Sequence, residues 1–228
     1  MTSRRTAVER LYETFEGYPC PPELWVCAQC GPEWTGAQIC ATALRAVSLP
    51  QLVAVHVMAL DDDALRYFLP RLLDVMLDTP GPVFDFRLPD LKDRLPAWRP
   101  EEVAAVAALA TGVWADLCAN YPAAPGYFSD APAGLDLLDW CGLPLTRYLD
   151  RMCAEPGVAP ARHLADIVDA VLSLSAPFET ASKATVLDWV SHSAVGDRLQ
   201  DGFFAAGDDN EAAQQLSSAH ELWTVCGR

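Results

Sequence analysis

Lysine is nearly missing: Lys92 and Lys183 are the only two among sixteen basic residues in a chain of 228. Set against 31 acidic residues, the basic set leaves a formal charge of -15 at neutral pH. Such a charge repels phosphate backbones and anionic lipid surfaces at long range, so direct nucleic-acid and membrane partners are disfavoured. Long apolar runs are lacking too. The stretch from Leu49 to Leu60 is interrupted by Pro50, Gln51 and His56 and falls short of a bilayer, so no membrane span is expected. The opening Met1-Thr2-Ser3-Arg4-Arg5 leads into an amphipathic helix without the apolar core and small-residue cleavage site of a secretory signal. A cytoplasmic location is the expectation.

Readable catalytic motifs are also missing. The chain holds no Gly-x-Gly-x-x-Gly, no phosphate loop ending in Gly-Lys-Ser/Thr and no Gly-x-Ser-x-Gly elbow. His56, His163, His192 and His220 are dispersed, and His220-Glu221 begins a His-Glu-x-x-His zinc motif without its second histidine. Ser191-His192-Ser193 sets hydroxyls beside an imidazole, but sequence neighbours on a helix point apart. No catalytic residue is assigned, and no enzyme is expected.

What the chain does hold is helical periodicity. Val8, Leu11, Tyr12 and Phe15 predict a first helix over 3–16, stopped by Gly17 and Pro19. Thr35 is placed to cap a second, running to about Val47. Residues 50–59 and 61–78 read as two more, the latter opened by Asp61-Asp62-Asp63, whose carboxylates suit a helix N-terminus better than a Mg²⁺ site. Pro70 predicts a bend or a fresh start near Tyr67. The proline-rich stretch 78–100 is a long connection in which Val83-Phe84-Asp85-Phe86 could extend. Glu101 to Asn120 is the clearest helix, and further ones are expected near 133–141, 144–154, 160–174, 178–192, 195–206 and 210–225. The fold class is all-α, an irregular multi-helix array or bundle with no repeat signature. Two halves are expected, 1–120 and 133–228, either separate or sharing one continuous core, with the boundary in 121–132.

The loop from Tyr18 to Pro32 is the least ordinary segment. Cys27 and Cys30 form a Cys-x-x-Cys pair, and Cys20 and Cys40 flank it. Four thiolates could close a zinc tetrahedron, the pair could act as a redox dithiol, or all four could simply pack as reduced thiols. No cofactor is expected apart from this zinc alternative. Cys118, Cys141 and Cys153 stand among large apolar residues and read as core. Trp114, Trp140, Trp189 and Trp223 fall on apolar helical faces, whereas Trp25, Trp34 and Trp98 lie in or beside loops as candidate interface anchors, with core packing the stronger reading for each.

Over roughly its first 120 residues the chain resembles a family of uncharacterised bacterial helical domains. These pair a Cys-x-x-Cys near a tryptophan with an acidic helix start followed by Tyr-hydrophobic-Leu-Pro. The matching residues are Cys27 to Cys30 with Trp34, then Asp63-Ala64-Leu65-Arg66-Tyr67-Phe68-Leu69-Pro70, then Pro100-Glu101-Glu102. The resemblance implies an all-α bacterial fold and carries no activity. Scarce lysine beside abundant alanine and proline agrees with a GC-rich bacterial genome.

From Arg162 onward ten acidic residues face four basic ones, so the C-terminal half is the expected negative face. Its candidate partner-binding residues are Asp197, Asp201, Asp208, Asp209 and Glu211. The expected function is an acidic protein-binding module of immunity or antitoxin type that occludes a cationic toxin domain. The alternative is a non-catalytic regulatory or scaffolding domain, stabilised by zinc.

Overall fold

The computed structural model describes residues 4–57, 60–79, 91–123, 126–173, 178 and 180–227. Among these every regular element is helical: α1 (Arg4–Phe15), α2 (Gly36–Ala41), α3 (Leu49–Val55), α4 (Asp62–Asp78), α5 (Leu91–Arg94), α6 (Pro100–Ala119), α7 (Ala131–Trp140), α8 (Leu145–Ala154), α9 (Val158–Leu172), α10 (Lys183–Val190), α11 (Ser193–Ala206) and α12 (Asn210–Cys226), with short 3-10 turns at 44–46 and 95–97. The all-α multi-helix array read from the periodicity is therefore what the chain forms. The extended piece expected at Val83-Phe84-Asp85-Phe86 lies outside the described residues. Two compact units emerge, Met1–Leu109 with Pro125–Tyr127, and Ala110–Ala124 with Phe128–Arg228. The division falls inside α6, and residues 121–132 are shared between the two.

In the first unit α1 packs on α4. Ala7, Val8, Leu11, Tyr12 and Phe15 recur every three or four positions and are buried against Leu65, Phe68, Leu69, Leu72, Leu73 and Met76. Each such large side chain contributes about 1.5–3 kcal/mol when fully buried, which makes this pair the unit's main anchor. Asp61 caps α4 by accepting from the Ala64 amide at 2.9 Å. The helix runs unbroken through Pro70 rather than restarting there, and Pro70 is itself buried among the apolar residues. Thr35 caps α2 in a box with Gln38, as its position implied. That helix stops at Thr42, short of Val47: Thr42 turns to extended backbone and its hydroxyl takes the Gln38 carbonyl at 3.0 Å.

Trp98 proves to be core and drops out of the candidate anchors, being only 6% exposed. Its ring meets Phe15 edge-on at 5.9 Å, lies 4.7 Å from the Arg66 guanidinium and donates to Asp62 at 3.4 Å. Close by, the buried Glu102 accepts from Tyr18 and from the backbone and guanidinium of Arg99. Burial opposes its charge, but these donors outweigh burial and hold its carboxyl below the usual range.

The second unit is organised around α9, which touches α7, α8, α10, α11 and α12. Its Leu164, Ile167 and Val168 are fully buried. Trp223 of α12 donates to the Val190 carbonyl at 2.8 Å and lies flat against Gly196 of α11. A side chain at 196 would meet the indole at 2.3 Å, so this approach requires glycine. Buried Asp136 of α7 accepts from the Thr180 and Ala181 amides, each at 2.8 Å, fixing the chain ahead of α10. Among the described residues one helix, α6, is long and apolar enough to cross a membrane by length and composition, where none was expected. Its Ala105, Val106, Leu109, Val113, Trp114 and Leu117 are packed inside the protein.

Candidate functional site

The four-cysteine set does not form. Cys20 and Cys40 are joined in a disulfide, so their sulfurs are bonded to each other and supply no thiolate; neither the zinc set nor reduced thiols throughout survives. Cys27 and Cys30 instead meet His56. The two sulfurs and an imidazole nitrogen lie within 4.8 Å of one another. Cys30 Sγ is 3.4 Å from His56 Nε2.

Local geometry explains the meeting. The Cys27 amide donates to the Ala54 carbonyl at 2.8 Å, stitching the loop to the last turn of α3, two residues before His56. The Cys27 carbonyl accepts from Gly31 at 3.0 Å, folding the Cys-x-x-Cys into one turn. Gly31 permits the close approach, since a Cβ there would come 2.4 Å from the Ala54 methyl and 2.7 Å from the Trp34 ring. His56 ends α3 in a left-handed conformation at φ 49, which swings its imidazole back over the loop. Exposed Trp25 adds its ring at 5.7 Å from the imidazole, while Trp34 is half-buried against Gly31. The Cys30 thiol, the Cys30 and Gln29 amides and His56 together bring the Cys27 thiol down to about 7. Cys30 moves the opposite way, since its proton is held against the Cys27 sulfur.

A second candidate lies in the C-terminal unit, where a cleft of about 380 Å³ is lined by Asp150, Cys153, Trp189, His192, Asp197, Arg198 and Asp201. Three carboxylates thus face one guanidinium. Arg198 is 9% exposed and its Nη2 donates to the Glu155 and Gly157 carbonyls; three carboxylates against its one positive charge leave the wall net anionic. Asp150 accepts from Trp189 at 2.7 Å, so its carboxylate is held in place. Cys153, expected in the core, is half-buried at this wall, while Cys118 and Cys141 are buried and burial pushes their thiols up to about 11 and about 12.

Asp197, Asp201 and Phe204 recur at offsets of four and seven and share one exposed face of α11. Phe204 is 71% exposed, with Phe203 5.5 Å away, and Asp208 follows just past the helix end. Asp209 and Glu211 are exposed as well, but both are engaged: Asp209 caps α12, and Glu211 pairs with Arg162 at 2.6 Å. Of the acidic residues expected to bind a partner, Asp197, Asp201 and Asp208 form no hydrogen bond or ion pair among the described residues, although Arg198 is close enough to Asp201 to feel its charge. Sequence reasoning missed Asp150, Phe204 and His56; Phe204 had a signal, an aromatic on the polar stripe of an amphipathic helix.

By fold the chain belongs to the all-α arrays. Comparison with family models, with curated proteins and with solved structures finds no match.

Proposed function

We propose that the protein is a non-catalytic binding module of immunity or antitoxin type, which covers the basic surface of a toxin protein. The observation that carries the reading is the outer face of α11, where Asp197 and Asp201 border an anionic cleft and continue into exposed Phe204 and Asp208. An aromatic that shares a helix face with carboxylates suits a cationic protein surface: the ring supplies desolvated contact area, and the carboxylates receive arginine or lysine and raise the encounter rate. Asp150, Asp197 and Asp201 line a cleft of about 380 Å³, which offers carboxylates to a basic side chain. A chain charge of -15 strengthens the same attraction and works against nucleic acid and anionic membranes.

Co-expression with the product of the adjacent gene tests the reading, because immunity proteins are encoded beside their toxins. A complex is expected that persists at about 0.15 M salt, with an association rate that falls as salt rises. Asp197→Lys combined with Asp201→Lys should slow association, and Phe204→Ala should weaken the complex about tenfold or more. Continued lethality of the co-expressed pair, or a complex indifferent to these substitutions, would remove the basis for the proposal.

A further inference from the structure

The Cys27, Cys30 and His56 trio lies in the first unit and takes no part in the α11 face. We propose that it is a zinc site, in which two thiolates and one imidazole bind a single Zn²⁺ and leave the fourth tetrahedral position open to water or to a donor from another molecule.

The donor chemistry selects the ion. Two sulfurs and an imidazole nitrogen form a soft to borderline set that suits zinc and not the hard, oxygen-seeking Mg²⁺ or Ca²⁺. The spacing agrees. With Zn–S near 2.3 Å and Zn–N near 2.05 Å, a tetrahedral centre separates sulfur from nitrogen by about 3.5 Å. Cys30 Sγ and His56 Nε2 stand 3.4 Å apart, and the whole trio fits inside 4.8 Å.

Placement is enforced by the backbone. The Cys27 amide bond to Ala54 locks the thiol-bearing turn to the helix end that carries His56, so backbone bonds bring the donors together. The left-handed backbone at His56 aims Nε2 at the sulfurs, and the Trp25 ring covers one flank. Loading the ion replaces any remaining Cys27 and Cys30 thiol protons, which pass to solvent, while His56 ligates through its neutral lone pair on Nε2 and keeps its proton on Nδ1. No electron is transferred. Three protein ligands with one open position is the arrangement of zinc sites that admit a further ligand, whereas closed structural sites use four.

The test uses the full-length chain, produced with zinc and passed through gel filtration without chelator. Elemental analysis is expected to find about one zinc per chain. Replacing zinc with Co²⁺ should give the visible bands of tetrahedral cobalt and a near-ultraviolet thiolate charge-transfer band with the intensity of two sulfurs. Cys27→Ser, Cys30→Ser and His56→Asn should each weaken zinc by more than about 100-fold, beyond what losing an outer-shell partner costs. Asparagine is chosen because it tolerates the left-handed backbone at 56, so the fold persists while the imidazole is lost. The Cys20→Ser/Cys40→Ser pair should keep the metal. Wild-type chain that stays metal-free in excess zinc, a cobalt spectrum lacking thiolate bands, or zinc retained by His56→Asn would overturn the site. So would a Cys27–Cys30 disulfide in protein that refuses zinc, which would mark the pair as a redox dithiol. None of these results depends on whether α11 binds a toxin.

Discussion

Asp166 of α9 gives the sharpest stability prediction. Its carboxylate accepts from Gln215 at 2.7 Å and from Tyr121 at 3.4 Å, with His163 Nδ1 at 3.7 Å. The side chain is 28% exposed. Burial raises its carboxyl from 3.8 to about 6, against the pull of the Tyr121 and Gln215 hydrogen bonds and of Arg162. The acid therefore prefers to be neutral in the fold. Below pH 3.8 both folded and unfolded chains hold the proton, and nothing is lost. Between 3.8 and about 6 the unfolded chain releases it first, so stability falls as pH rises, and above 6 the loss is complete. A shift of this size corresponds to about 3 kcal/mol, of which about 0.5 is already lost at pH 4. Asp166→Asn keeps an acceptor oxygen and removes the titration. Measured by urea unfolding, the variant should gain on the wild type by about 2 kcal/mol between pH 4 and pH 7. Buried His163, whose pKa is lowered by its desolvation, has the opposite slope below its usual value of 6.5, and because its Nδ1 stands 3.7 Å from Asp166 the two proteins are compared in a His163→Gln background. A difference that stays flat across this range, or that favours the wild type with rising pH, would refute the argument.

Three further outcomes are expected in unfolding experiments. Trp98→Ala should cost about 3–5 kcal/mol because it empties a packed site, whereas Trp25→Ala, at 63% exposure, should stay within about 0.5 kcal/mol. Gly196→Val should destabilise by about 2–3 kcal/mol, since Trp223 is pinned by its bond to Val190 and cannot retreat from the added carbons. Asp136→Ala should cost at least about 2 kcal/mol by stranding the Thr180 and Ala181 amides, and it should raise their hydrogen exchange ahead of the rest of the C-terminal unit.

Helices were legible because their signals are local. Thr35 and Asp61 cap the helices that follow them, and the apolar stripe of α1 is buried as its spacing implied. The break at Thr42 was not legible, because a hydroxyl taking its own helix's carbonyl leaves the hydrophobic pattern unchanged. Trp98 stands beside a proline and two charges, which reads as a loop tip; only the packed Phe15 and Arg66 reveal it as core. The cysteine loop shows the same limit more sharply. Composition grouped four sulfurs by proximity in the chain, while folding joined two of them to each other and presented the other two to a histidine 26 residues from Cys30. No spacing rule connects His56 to that turn, since the link is a backbone bond to Ala54 and a single left-handed residue.

The Cys20–Cys40 bridge spans 20 residues and encircles the Cys-x-x-Cys turn. A covalent circle of that size strips about 3 kcal/mol of wandering from the unfolded chain. Exposed Glu23 and Glu33 lie on this circle, so a single cut after either leaves two pieces that migrate as one molecule until a reductant parts them.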